Sequence, residues 1–315
     1  MPINLPHLLQ TCLNHLNDSI LITEAEPFDP PGPRIVWANK YFYECHGFTP
    51  EEVIGRTPRI LQGPETDRNT LDRLRASLEK WESIKVELLN YRKDGTSFWN
   101  EFEIVPVADD SGCYTHWISV QRDVSERKKL EKQLFQLAFY DSLTGLPNRR
   151  LFNDRLTQAI ALSKRGMRYG ALMCLDLDYF KELNDSHGHN VGDLLLIELS
   201  RRLGGCVREV DTVARFGGDE FVVIAGELSL EKEEAEAKAL VIAEKILGSL
   251  SEIYNLVTTD ASGNPVTIEH HGSCTIGVAM FRSGEASPDS ILKWADAAMY
   301  KAKKVVRGSV LLHQP

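Results

Sequence analysis

The sequence predicts an α+β chain of two domains: an antiparallel five-stranded sheet with helices, a helical linker, and a mixed sheet flanked by helices. Three observations carry this. The 315 residues suffice for two ordinary hydrophobic cores. Between Ser19 and Val120, two strand-like runs, a helical middle and three further strand-like runs follow one another. After Asp141 the order is β-α-β-β-α-β, which suits a mixed sheet covered by helices. The expected domains are 1–124 and 141–315, joined by a helix over 125–140.

Composition narrows the classes. Apolar content of 43% and charged content of 26% are those of a globular protein, and no apolar run approaches membrane-spanning length. A net charge of −9 argues against a nucleic-acid partner or an anionic-membrane surface. The six cysteines (Cys12, Cys45, Cys113, Cys174, Cys206, Cys274) have no metal-ligand spacing and read as reduced thiols. The first residues lack the basic start and apolar run of a signal peptide, so the expected compartment is the cytoplasm.

In the first domain, Ser19 to Thr23 and Arg34 to Asn39 read as strands, with a proline-rich loop between them. Helical segments follow at Lys40 to His46, at Thr49 to Gly55 (Thr49 as N-cap, Pro50 at the first position) and at Leu71 to Trp81. Strands at Ile84 to Tyr91, Ser97 to Pro106 and Tyr114 to Val120, with turns at Lys93-Asp94-Gly95 and Asp109 to Gly112, close the domain. This order resembles the PAS sensor fold, as does the exit Asp123-Val124-Ser125.

The stretch Gly55-Arg56-Thr57-Pro58-Arg59-Ile60-Leu61-Gln62-Gly63-Pro64 is similar to the photoactive segment of the flavin-binding LOV subclass. That resemblance implies that Arg59, Gln62, Arg75, Asn90, Asn100 and Gln121 are its flavin-contacting residues, holding FMN or FAD without a covalent bond. Pro58 stands where the subclass has its reactive cysteine, and Thr57 where it has an asparagine. Amides and arginines around an apolar cup suit a flat heteroaromatic ring and its phosphate. The alternative is a PAS core whose polar residues satisfy one another and bind nothing. Cys45 is either close to that pocket or a buried structural thiol.

In the connector, Ser125 is a cap, and Leu130, Leu134 and Leu137 share a helical stripe among charged residues. The stripe suits pairing with its twin in a homodimer, or lying on its own domain.

Chemistry concentrates in the second domain. Helices are expected at Asn148 to Lys164, Leu194 to Val207, Glu231 to Leu250 and Pro288 to Lys304, with strands at Ala171 to Leu175 and Gly272 to Phe281 and a hairpin around 260–265. Val213 to Ala225 reads as another hairpin around Gly217-Gly218-Asp219-Glu220, where bare backbone and two carboxylates suit a divalent cation held against phosphate. Upstream, Met173 to Lys181 begins as a buried strand and ends in the carboxylates Asp176 and Asp178, and a polar, turn-rich stretch follows to Asp193. These motifs, with Asp141-Ser142-Leu143-Thr144-Gly145-Leu146-Pro147-Asn148-Arg149, Arg215 to Phe221 and Ala295-Asp296 through Lys303, resemble the GGDEF-domain diguanylate cyclases. Four motifs in the family's order form a specific signal.

The resemblance implies Mg²⁺ or Mn²⁺ on Asp176, the Leu177 carbonyl and Asp219, with Asp219 helped by Glu220 in taking the proton of a ribose hydroxyl. It implies Lys181 stabilising the reacting phosphorus, Asn184 and Asp193 reading guanine, and Gly217 and Gly218 admitting the phosphate chain. His189 contacts ribose or base, or is a supporting hydrogen bonder. Lys303 and Arg307 hold the terminal phosphates, although Val306-Arg307-Gly308 departs from the family's usual Gly-Arg-Asn. Arg208 and Asp211 match its inhibitory product site, or form a plain surface ion pair. The implied partners are GTP, cyclic di-GMP and a second copy of the chain. Three function classes follow: an active cyclase under a sensor, an effector that only binds GTP or cyclic di-GMP, and a dimerising scaffold. A phosphodiesterase is not expected, because the 315 residues leave no room for a further catalytic domain.

Overall fold

A computed structural model describes residues 4–29, 32–259, 263–282 and 287–314. They divide into two compact units, Met1–Lys132 and Gln133–Pro315, so the boundary falls inside the linker helix.

The first unit contains α1 (Leu5–His15), β1 (Ser19–Glu24), β2 (Ile35–Ala38), α2 (Lys40–His46), α3 (Pro50–Val53), a 3₁₀ turn at Pro58–Leu61, and α4 (Arg68–Leu78). β3 (Ile84–Tyr91), β4 (Ser97–Ala108), β5 (Tyr114–Asp123) and the start of α5 (Ser125–Phe139) follow. The strands form one antiparallel sheet in the order β2-β1-β5-β4-β3. Local chemistry sets the helix starts: Asn39 caps α2, Thr49 and Glu52 form a capping box on α3, and Asp67 caps α4. The core is split. Leu21, Ile35, Phe42, Val53 and Leu61 form one apolar cluster; Val86, Leu88 and Phe102 form another beneath Leu71 and Leu74. A cavity lies between them.

Two readings change here. The sequence placed α4 at Leu71 to Trp81; it begins at Arg68 and ends at Leu78, and Trp81 lies in the left-handed region at φ 58°. Helix α1 was not anticipated; it leaves Leu5, Leu8 and Leu9 exposed, so its apolar residues carry no core signal.

The second unit contains α6 (Arg149–Gly166), β6 (Tyr169–Leu177), α7 (Phe180–His187), α8 (His189–Cys206), β7 (Thr212–Gly217), β8 (Glu220–Ser229), α9 (Lys232–Leu250), β9 (Ile253–Thr259), β10 (Pro265–His271), β11 (Cys274–Phe281), α10 (Pro288–Val305) and β12 (Val310–Leu312). Its main sheet runs β12-β11-β6-β8-β7, with β12 parallel to β11 and the other pairs antiparallel. Both faces are covered. Leu175, Leu195, Leu199, Ala239 and Ile246 pack on one side, and Phe152, Leu172, Cys174, Ile291 and Ala295 on the other. That double burial is why β6 is almost continuously apolar until Asp176. β9 and β10 form a separate hairpin; residues 260–262 of its expected turn lie outside the described residues. The stretch read as polar and turn-rich is instead two helices, α7 and α8, broken at Gly188.

Candidate nucleotide and metal site

β6 delivers Asp176 to the sheet edge, where its register partners are Glu220 on β8 and Thr275 on β11. Asp219 stands in the β7–β8 turn, close enough for its charge to act on Asp176, and both border the apolar packing of Leu175, Leu177 and Phe221. Burial raises the Asp176 carboxyl above its ordinary range, and the charges of Asp219 and Glu220 push the same way. Lys303 of α10 opposes them: its Nζ donates to Asp176 Oδ1.

The turn is rigid. Gly217 (φ 140°) and Gly218 (φ 51°) take backbone conformations that side chains disfavour. Arg215, almost fully buried, grips the Gly218 carbonyl through Nε (3.0 Å) and Nη2 (2.7 Å). Its Nη1 donates to Asp141 Oδ1 at 2.8 Å, and that oxygen also accepts from the Thr144 N–H and hydroxyl. Burial works to raise the Asp141 carboxyl, but these hydrogen bonds outweigh it and hold it below its usual range.

Asp178 is one acid among several in its stretch of sequence, with no role marked by the motifs. It is buried and accepts from Ser273 Oγ (2.7 Å), Thr275 Oγ1 (3.0 Å) and the Gly308 N–H (3.0 Å). It therefore ties the end of α10 to the edge bearing Asp176. The glycine at 308, the departure noted above, is what presents that N–H. Beside it, the Arg307 guanidinium lies 4.7 Å from the Tyr179 ring centroid.

On α7 and α8, Lys181, His189 and Asp193 are exposed. Asn184 Oδ1 is buried and, among the described residues, has no hydrogen-bond partner. Gly192 makes room for it: a Cβ there would stand 2.0 Å from that oxygen. Arg208 and Asp211 form no ion pair. Asp211 instead accepts from the main-chain N–H groups of Arg208 (3.0 Å) and Gly226 (3.2 Å), leaving the exposed Arg208 guanidinium with no partner among the described residues.

Among the described residues, no cluster of three or more His, Cys, Asp or Glu side chains is arranged to hold a metal alone. Two neighbouring carboxylates, Asp176 and Asp219, remain, and Mg²⁺ takes few protein oxygens and completes its shell with water and substrate phosphate. The residues fit that ion.

The first unit holds the second candidate site. Arg59, Gln62, Arg75, Asn90, Asn100 and Gln121 all line its cavity of about 320 Å³, with Thr23, Phe28, Pro58 and Trp117. On its buried floor, Asn100 Nδ2 donates to Asn90 Oδ1 (3.0 Å) and Gln121 Oε1 (3.1 Å), and Gln121 Nε2 donates to Ser119 Oγ (3.2 Å). Asn100 Oδ1 is left without a partner among the described residues. Arg75 pairs with Asp29 and Glu79 at the mouth; Arg68, which the sequence reading passed over, also lines it. Cys45 is not among the lining residues; its Sγ lies 3.1 Å from Ser19 Oγ, and burial raises its thiol.

The profile of the diguanylate cyclase GGDEF domain matches residues 138–309, more than half of the chain. The chain belongs to the GGDEF-domain diguanylate cyclase family. A PAS-domain profile matches residues 17–126, so a PAS domain precedes the GGDEF domain. The chain is 42% identical over 175 residues to the bifunctional diguanylate cyclase/cyclic di-GMP phosphodiesterase MucR of Pseudomonas aeruginosa, across 56% of this chain and 23% of that protein. It is 40% identical over 172 residues to the diguanylate cyclase TpbB of the same species, across 55% of this chain and 37% of that one. It thus spans well under half of these relatives. A solved coiled coil and GGDEF domain of DgcB from Caulobacter crescentus, in complex with c-di-GMP, is 28% identical; the match covers 60% of this chain and 93% of that one, with a TM-score of 0.50. Among the described residues of this GGDEF protein, no helix is long and apolar enough to cross a membrane.

Proposed function

We propose that the chain condenses two GTP molecules into cyclic di-GMP and two pyrophosphates as a homodimer. The observation that carries this reading is that Asp176 and Asp219 stand close enough at the sheet edge for their charges to act on each other, with Lys303 donating to Asp176. Asp176, the Leu177 carbonyl and Asp219 would hold Mg²⁺ or Mn²⁺. When bound, such an ion acidifies a ribose 3′-hydroxyl and offsets charge on the departing pyrophosphate. Asp219, helped by Glu220, takes the hydroxyl proton. Lys181 faces the reacting phosphorus as a point charge, and Lys303 and Arg307 hold the terminal phosphates.

Guanine recognition rests on Asn184 and Asp193. The Asp193 carboxylate, exposed on α8, accepts from guanine N1–H and N2–H, donors that adenine lacks, and Asn184 stands beside it on α7. His189 supports the ribose or base. Each site holds one GTP, so two protomers must face each other for each hydroxyl to reach the other's α-phosphate. Leu130, Leu134 and Leu137 are 55%, 65% and 69% exposed along α5, an apolar stripe suited to pairing two such helices. Cyclic di-GMP binds back through Arg208, whose free guanidinium suits the guanine O6/N7 edge.

In the PAS domain we propose a flavin, FMN or FAD, held without a covalent bond. The amide row Asn90–Asn100–Gln121 faces the ring's polar edge, and Arg59 and Arg75 face its phosphate. The experiment for the catalytic reading is GTP turnover by the purified protein, with product identified chromatographically. Turnover should need Mg²⁺, slow when cyclic di-GMP is added, and keep full speed with added product in Arg208→Ala. GTP left unconsumed with Mg²⁺ present refutes the cyclase reading.

A further inference from the structure

Trp117 lines the PAS cavity, is buried, and donates its indole N–H to the Ala25 carbonyl at 3.0 Å. Trp81 lies parallel on it, ring centroids 5.1 Å apart and planes within 4°. Tyr114 lies on Trp81 at 4.8 Å and 12°, and is 45% exposed. Phe28 meets both indoles edge-on, at 5.6 Å and 6.4 Å. The three stacked rings run from the cavity to solvent, in the range where aromatic faces interact directly.

Trp81 takes φ 58° as the residue that caps the end of α4: its N–H donates to the Leu78 carbonyl at 2.9 Å, and the Glu82 N–H donates to the Ser77 carbonyl at 3.0 Å, so the turn fixes where the middle ring stands. The catalytic residues of the GGDEF domain have no use for this column, and the cavity needs only Trp117 as wall.

We propose that Trp117, Trp81 and Tyr114 are an electron relay between a flavin in the cavity and solvent. This rests on the flavin reading above. With Pro58 in place of a thiol, no side chain at that position can form a bond to an excited flavin, whereas the column can deliver an electron. Under blue light Trp117 gives one electron to the flavin, Trp81 refills Trp117, and Tyr114 refills Trp81. The Trp117 N–H is held by a buried carbonyl, so the positive charge moves outward and is not lost there as a proton. Tyr114, at the surface, releases its phenolic proton to water as its electron leaves. The flavin gains one electron and takes one proton from solvent. A small thiol outside returns one electron and one proton to Tyr114, and two such thiols end as a disulfide after two turns.

The test is photoreduction of the full chain reconstituted with FMN, without oxygen, in the presence of a thiol, followed by bleaching of the blue absorption band. Tyr114→Phe and Trp81→Phe should bind FMN as the parent does and lose most of the bleaching rate. Trp117→Phe should also lengthen the flavin fluorescence lifetime, because its nearest donor is gone. Should Trp81→Phe fail to fold, Tyr114→Phe, at an exposed ring, carries the test. Parent-like bleaching in Tyr114→Phe with FMN bound overturns the relay and leaves the flavin reading standing. A chain that takes up no FMN, with a featureless visible spectrum, overturns both.

Discussion

Gly192 earns its place through a neighbour. A methyl group there would press on Asn184 Oδ1, a buried oxygen with no hydrogen-bond partner among the described residues. Gly192→Ala should therefore displace the carboxamide and cost one of its hydrogen bonds to guanine, a loss of about 1–3 kcal/mol. The expected outcome is a KM for GTP raised about tenfold to a hundredfold with kcat little changed. Steady-state kinetics decides it; an unaltered KM removes Asn184 from base recognition. Residues like this are only partly readable in sequence. Asn184 and Asp193 stand out because their types suit guanine. The space that Gly192 leaves appears only when α7 and α8 fold together, and Asp178, one more acid in an acidic stretch, shows its anchoring role only through its partners on β11 and after α10.

The β7–β8 hairpin is held by a buried guanidinium fork, and that fork is a testable part. Arg215→Lys keeps the charge but cannot place two donors on the Gly218 carbonyl while a third reaches Asp141. A looser turn lets Asp219 drift from Asp176, and misplacement by about 1 Å costs up to roughly a hundredfold in rate. The expected result is a fall of that order in kcat/KM for GTP by steady-state kinetics; full activity would show that the fork does not position Asp219. Most elements were legible, because period-two runs, caps and Gly-Gly corners mark them locally. β12, α7 and α8 lack such marks, whereas α1 has its Asn4 cap and an early proline but no buried face. β12 spans only Val310–Leu312 and is paired by β11, far upstream in sequence. The stretch from Glu182 to Asp193 is polar because it lies at the surface, and its helices are stabilised by packing of Leu183 and Val191.

On the proposed reading, with one GTP held per protomer, the chain turns over only in pairs. The α+β class and the two-unit plan follow from strand and helix order. The proposed facing of two sites is not written in that order; the exposed leucines of α5 are a feature of the chain that suits it. The most direct measurement is Mg²⁺-dependent cyclic di-GMP formation per protomer across a dilution series, run beside a mixture with excess Asp219→Ala chains. The account predicts that specific activity collapses on dilution as dimers separate, and that mutant chains poison the parent by forming mixed pairs. Activity per protomer that stays constant down to monomer concentrations, or that ignores the mutant, would contradict it.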